Sequence, residues 1–374
     1  MAMAEAGAPQ SAPSPRMPFD AFRLAFLLAA LTAMRALAFP PKIWNGDYSS
    51  HADELIFGFM LVQLFGFMLK SLPRQIGRPI LSPALTRLML AAQALAFLAG
   101  FYDLGIGAEI RSIVGFITVL CLSGTAIRAR ATRVYPLLAL AAAHAGTGIL
   151  AAFDLWPGAT MLGFALILSI CFEVGNRIFP MVIEAGRALD GRPAGPPPPA
   201  WLSIIQRVAS LATLLLYGFG LPHALPAAIA GISGLAWTAW IRPWQAFRHG
   251  GVRFMTFAIA AKRIGFLLLA ADAAPDCPLP PAIAIHVLAI GGLASLAVAI
   301  ATSIVRKRNG QSFRRSALGS ATYLCLAAAL ALRVGYAALP DRSLLLTVAQ
   351  AFWLLGFAGY AVLILRKAPT RCAD

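Results

Sequence analysis

The chain has 374 residues, 59% hydrophobic and 12% charged, with a mean hydropathy of +0.76. That apolar excess leaves no polar shell for a water-soluble globular domain, which excludes soluble enzymes and soluble binding modules. A net charge of +16 and a pI of about 10.5 would suggest nucleic acid in a soluble protein. Here the bases fall in short segments between apolar runs, the pattern of the positive-inside bias, and nucleic acid is not an expected partner.

Residues 1–16, rich in Ala, Pro and Ser, are predicted to be a disordered tail. Twelve membrane-crossing helices follow, predicted at 19–39, 51–72, 83–101, 109–128, 134–153, 158–180, 200–220, 223–241, 252–271, 280–304, 316–337 and 343–366. Each is long enough for a hydrocarbon core of about 30 Å at about 1.5 Å per residue. The fold class is therefore all-α, a polytopic transmembrane bundle in contact with the lipid bilayer. Only Leu221-Pro222-His223 separates the seventh span from the eighth.

Charge alternates between successive loops. One set carries Lys70, Arg74 and Arg78, then Arg128, Arg130 and Arg133, Arg187 and Arg192, Arg242, Arg248 and Arg253, and Arg306, Lys307, Arg308, Arg314 and Arg315. The other carries Asp47, Asp103, Glu109, Asp154, Asp272, Asp276 and Asp341 with few bases. Twelve spans with both termini in the cytoplasm fit this pattern. Arg16, Arg23, the apolar stretch after them and Ala36-Leu37-Ala38 also resemble a cleavable signal peptide; the long polar leader argues against that, and cleavage would leave eleven spans.

Residues 186–200 contain a four-proline run and form a stiff linker. It divides a first half, 17–185, from a second, 201–366, with a cytoplasmic tail at 367–374. No sequence repeat relates the halves, so the inverted-repeat symmetry of many transporters finds no support. The five cysteines include no CxxC pair, and no disulfide or zinc pattern is present.

Candidate chemistry rests on few residues. His51 opens the second span and His286 lies early in the tenth; both spans run in the same direction, which places the imidazoles within about 10 Å of one another in depth. Imidazole ligates haem iron and copper, although for two unrelated histidines a hydrated interfacial position is the more ordinary reading. Glu54 lies three residues after His51, on a neighbouring face, where a carboxylate can orient a ligating imidazole. Asp53 fits ordinary acid placement at a helix start. Glu173 and Arg177 stand at i and i+4 in the sixth span and form an ion pair, with Arg177 free to snorkel. His144, mid-span among Ala and Gly, is expected to hydrogen-bond a neighbouring helix. No P-loop, dinucleotide motif, HExxH or triad signature is present, and no acid–base pair marks an enzyme.

Four elements together resemble the NnrS family, bacterial membrane proteins linked to nitric oxide and denitrification and described as binding haem and copper. They are His51-Ala52-Asp53-Glu54-Leu55-Ile56-Phe57-Gly58-Phe59, Pro73-Arg74-Gln75-Ile76-Gly77-Arg78-Pro79, Gly175-Asn176-Arg177-Ile178-Phe179-Pro180 and His286-Val287-Leu288-Ala289-Ile290-Gly291-Gly292. The resemblance extends from Pro18-Phe19 to the last span. It implies a role in the response to nitric oxide or nitrosative stress, with His51 and His286 holding haem b, Glu54 orienting a ligand and Arg177 serving as a structural or propionate-pairing cation. Two histidines of the family pattern are replaced, by Asp53 and by Arg308 within Lys307-Arg308-Asn309-Gly310-Gln311, so copper has fewer ligands available than haem. The alternative is a transporter or channel without redox cofactor, with Glu173 and Arg177 on the pathway.

Overall fold

The computed structural model describes residues 20–38, 49–274, 277, 279–309, 316–339 and 342–366. The tails at 1–16 and 367–374, the bases Arg314 and Arg315, and the second part of the 307–311 motif lie outside the described residues. Every regular element among the described residues is helical. Twelve helices are long and apolar enough to cross a membrane: α1 (Ala21–Ala38), α2 (Ser50–Ile76), α3 (Pro83–Tyr102), α4 (Leu104–Arg128), α5 (Thr132–Ala152), α6 (Ala159–Leu189), α7 (Ala200–Gly218), α8 (Ala224–Ile241), α9 (Gly250–Asp272), α10 (Pro281–Arg308), α11 (Ala317–Ala338) and α12 (Ser343–Leu365).

Local chemistry explains the boundaries. Ser82 caps α3, its hydroxyl accepting from the Leu85 N–H at 3.2 Å, and Pro83 follows as first helical residue. Asp103 ends α3 and starts α4, with Oδ1 accepting from Gly105 N at 2.7 Å and Ile106 N at 3.2 Å. Gly77, at φ +76°, ends α2 in the left-handed region that glycine enters without steric penalty. Four predicted ends move by four residues or more; α4 begins at Leu104 and α10 runs on to Arg308. Helix α2 continues through Pro73 to Ile76, and α6 through Pro180 to Leu189, so the linker's first residues are helical. A proline inside a helix removes one backbone bond, a loss that packed neighbours make tolerable in a membrane bundle.

The helices are not equivalent. The apolar windows of α2, α6 and α10 are 72%, 61% and 78% buried, against 22% for α11 and 33% for α3. The three central helices recur at every fourth position, and the other helices form arcs around them in which sequence neighbours pack side by side. Helix α1 packs against α12, which brings the first and last spans together. Trp353 of α12 donates its indole N–H to the Ala33 carbonyl of α1 at 2.9 Å. Gln63 ties the centre: its amide donates to the Ala297 carbonyl of α10 at 3.2 Å, and its Oε1 accepts from Tyr360 of α12 at 3.0 Å. The outer faces carry exposed apolar side chains such as Leu88, Leu95 and Leu98 of α3, as contact with lipid requires.

Both α2 and α10 contain a π-helical segment near their starts, Glu54–Phe59 and Val287–Ala294. A π turn inserts an extra residue and widens the helix, a deformation concentrated at functional sites. In α10 the Ser295 hydroxyl donates to the Ile290 carbonyl at 2.8 Å, giving that carbonyl a partner within the altered ladder.

Candidate functional site

The π segments begin just after the two histidines singled out by sequence, His51 in α2 and His286 in α10. Both imidazoles line one cavity of about 440 Å³. Its remaining walls come from α1, α6, α7, α11 and α12, and are mostly apolar: Leu37, Ile56, Phe59, Phe164, Leu293 and Trp353 are among them. Among the described residues of the lining, Arg333 of α11 is the only Lys or Arg.

The backbone sets the state of both rings. His51 Nδ1 lies 3.3 Å from the Ala36 carbonyl, and His286 Nδ1 lies 2.6 Å from the Ala282 carbonyl one turn earlier. A carbonyl oxygen only accepts, so Nδ1 carries the hydrogen in each ring. The neutral imidazole then has its lone pair on Nε2. Two histidines on different central helices thus share one tautomer, with the Nε2 lone pair unprotonated. Among the described residues, no group of three His, Cys, Asp or Glu side chains converges to hold a metal ion.

Glu54 does not serve His51. It is 4% exposed, and both its oxygens go to arginines: Oε2 to Arg35 Nη2 of α1 at 2.5 Å, and Oε1 to Arg111 Nη1 of α4 at 2.8 Å. Arg35 also donates to the Phe97 carbonyl of α3 and packs over the Phe97 ring at 4.8 Å. Glu54 therefore joins four helices, and the Ala36 carbonyl holds the imidazole instead. The sequence spacing was compatible with an orienting role, but two guanidiniums from distant helices outcompete a ring N–H for a buried carboxylate.

Arg177 lies outside the cavity. Its side chain is 55% exposed, and Nη2 approaches Glu173 Oε2 of the same helix at 3.9 Å, the expected i,i+4 pair at a loose distance. The cation that does reach the cavity is Arg333. Asp53, at the place of a family-type histidine, turns to α6 and accepts a hydrogen bond from the Thr160 hydroxyl at 2.7 Å. His144 is fully buried, with Nδ1 directed to the Gly163 carbonyl of α6 at 3.0 Å and its ring stacked on Phe57 at 5.3 Å, which is the expected interhelical bond. Arg308 meets Asp20 Oδ1 at 2.5 Å.

The NnrS protein family model matches residues 19–368, nearly the whole chain. The chain belongs to the NnrS family. No curated protein matches it. In this NnrS protein the four resembling elements occupy distinct places. The first and fourth supply the cavity histidines, the third supplies Asn176 and Gly175 at the centre of α6, and the second forms the turn that ends α2.

Sequence reading missed Arg35, Arg333, and the adjacent pair Lys262 and Arg263 of α9. Each interrupts an apolar span, and ionisable residues at membrane depth are functional candidates by default. A scan of every span for Lys and Arg finds all four.

Proposed function

We propose that this NnrS protein binds haem b through His51 and His286 and acts in the response to nitric oxide or nitrosative stress. The observation that carries the reading is the pair of imidazoles on one apolar cavity, each with Nδ1 engaged by a backbone carbonyl. Two Nε2 donors match the bis-histidine requirement of a b-type haem, and the apolar walls match its macrocycle. When bound, haem supplies an iron whose affinity for nitric oxide depends on its axial ligands and surroundings.

The chain's own residues do the rest. The Ala36 and Ala282 carbonyls engage Nδ1 and so fix the tautomer that leaves the Nε2 lone pair for a ligand. Arg333 offers a guanidinium for a carboxylate of the ligand, the task the resemblance assigned to Arg177. Phe59, Leu293 and Trp353 keep the deep part of the cavity apolar and exclude water. The two-histidine set suits haem better than copper, which would need further ligands at the positions held by Asp53 and Arg308. We further infer that the protein resides in the bacterial inner membrane with both termini cytoplasmic, from the charge alternation of the loops.

The test is a dithionite-reduced minus oxidised visible spectrum of detergent-purified protein, with metal analysis of the same sample. A haem b signal perturbed by nitric oxide and lost in His51→Ala and His286→Ala supports the reading. A colourless, metal-free protein from haem-supplied cells overturns it and favours a transporter without redox cofactor.

A further inference from the structure

Lys262 and Arg263 are adjacent, 1% and 0% exposed, and lie mid-span in α9, about 18 Å along the helix from Gly250. Both reach the middle of α6. Lys262 Nζ and the Arg263 guanidinium lie 4.7 and 4.6 Å from the Phe172 ring centre, and Arg263 Nη2 donates to Asn176 Oδ1 at 2.8 Å. Gly175 leaves the room that Lys262 Nζ approaches, and Gly234 of α8 does the same for the Arg263 stem. Neither cation forms an ion pair among the described residues. Glu173, the nearby carboxylate on α6, pairs with Arg177 at 3.9 Å and forms no ion pair with Lys262.

Only donors remain. Lys262 Nζ, Arg263 Nε and Nη1, and Asn176 Nδ2 are all buried without a hydrogen-bond partner. Asn176 has used its one acceptor on Arg263, which commits its amide hydrogens to the same unmet demand. Water would satisfy these N–H groups but would leave the Arg263 guanidinium, which stays protonated, without a counter-charge at membrane depth, where an uncompensated charge is costly. A neighbouring anion answers both needs. Its class follows from the surroundings: small, because α6 and α9 pack closely here, and monovalent, because a larger charge would face further desolvation between apolar walls.

We propose that a small monovalent anion, the size of chloride or nitrite, binds between α6 and α9, held by Lys262, Arg263 and the Asn176 amide. This site is separate from the histidine cavity and does not depend on haem.

The test is thermal unfolding of the purified full-length protein in sodium gluconate, titrated with chloride, nitrite or nitrate. A ligand of the native state raises Tm with concentration by mass action. The expected result is a saturable rise with at least one of the three, lost in Lys262→Met and kept in Arg128→Gln at an exposed helix end. The relative response ranks the halide against the nitrogen oxyanions. Chloride-35 line broadening by the wild-type protein, narrowed by a competing anion, reads the same site without any variant and holds the test open if Lys262→Met does not fold. Absence of both a saturable response and competitive line broadening in the wild type overturns the proposal. So does an unchanged response in folded Lys262→Met. A wild type indifferent to anions that is strongly destabilised by Glu173→Gln would assign the counter-charge to Glu173 instead.

Discussion

Arg35 of α1 and Glu54 of α2 meet at 2.5 Å with side chains 2% and 5% exposed, and this pair sits three residues from the histidine that opens the candidate cofactor cavity. With Arg111 on the other carboxylate oxygen, the cluster fixes the start of α2 against α1, α3 and α4. Glu54→Gln leaves two buried guanidiniums without their counter-charge. Breaking a buried pair in this way costs about 3–5 kcal/mol, against about 0–1 kcal/mol for the exposed Arg177→Gln. Unfolding midpoints of the two variants should separate accordingly. The haem spectrum of the folded Glu54→Gln fraction should match wild type, since Ala36 and not Glu54 holds His51.

Arg333 gives a prediction about the ligand's charge. A hydrogen bond to a charged group contributes about 1.5–3 kcal/mol, so Arg333→Met should weaken haem retention about 10- to 100-fold. Haem dimethyl ester, whose carboxylates are blocked, should bind wild type and Arg333→Met alike. Titrations followed at the Soret band compare the two. Equal retention of free haem by both proteins would remove Arg333 from the site.

His144 tests the distinction between a histidine bonded inside the bundle and the two that line the cavity. His144→Phe keeps a ring against Phe57 but leaves the Gly163 carbonyl without this donor, which should lower stability by about 1–3 kcal/mol. The visible spectrum should not change. A shifted Soret maximum in this variant would place His144 in the cofactor's surroundings.

Gly107 marks the tightest crossing of α3 and α4. A Cβ there would lie 2.6 Å from the Gly100 Cα and 2.7 Å from its nitrogen, and backbone atoms cannot rotate aside. Gly107→Ala should therefore push the helices apart and destabilise the protein by about 1–3 kcal/mol, measured by thermal unfolding. At Gly77, where nothing lies within 4 Å, the cost of Ala comes from φ +76° alone.

Much of the fold was legible because hydropathy and loop charge are local signals. All twelve spans appear where apolar runs predict them, including the pair split by Leu221-Pro222-His223. The ends were less legible. The predicted spans end at residues 72 and 180, yet tertiary packing carries the helix past Pro73 and Pro180. The histidine pair was legible from matching depth in two spans, and the shared cavity agrees with it. The partner of Glu54 was not legible: its i+3 spacing from His51 is real, but Arg35 and Arg111 reach it only through the packing of α1 and α4. Arg333 was hidden for a similar reason. It stands far along the sequence from either histidine, and only the approach of α11 to α10 brings it to the cavity.

The histidine cavity takes walls from both ends of the chain: Leu37 and His51 from the first two spans, His286, Arg333 and Trp353 from the last three. Well over half of the sequence separates the two imidazoles. At translation rates of about 5–20 residues per second, His51 waits roughly 10–50 s for its counterpart to be made. Until α12 docks on α1, the nascent protein has no closed chamber to fill. Any ligand of this cavity therefore meets its complete wall only after the last span has been made and has packed on the first.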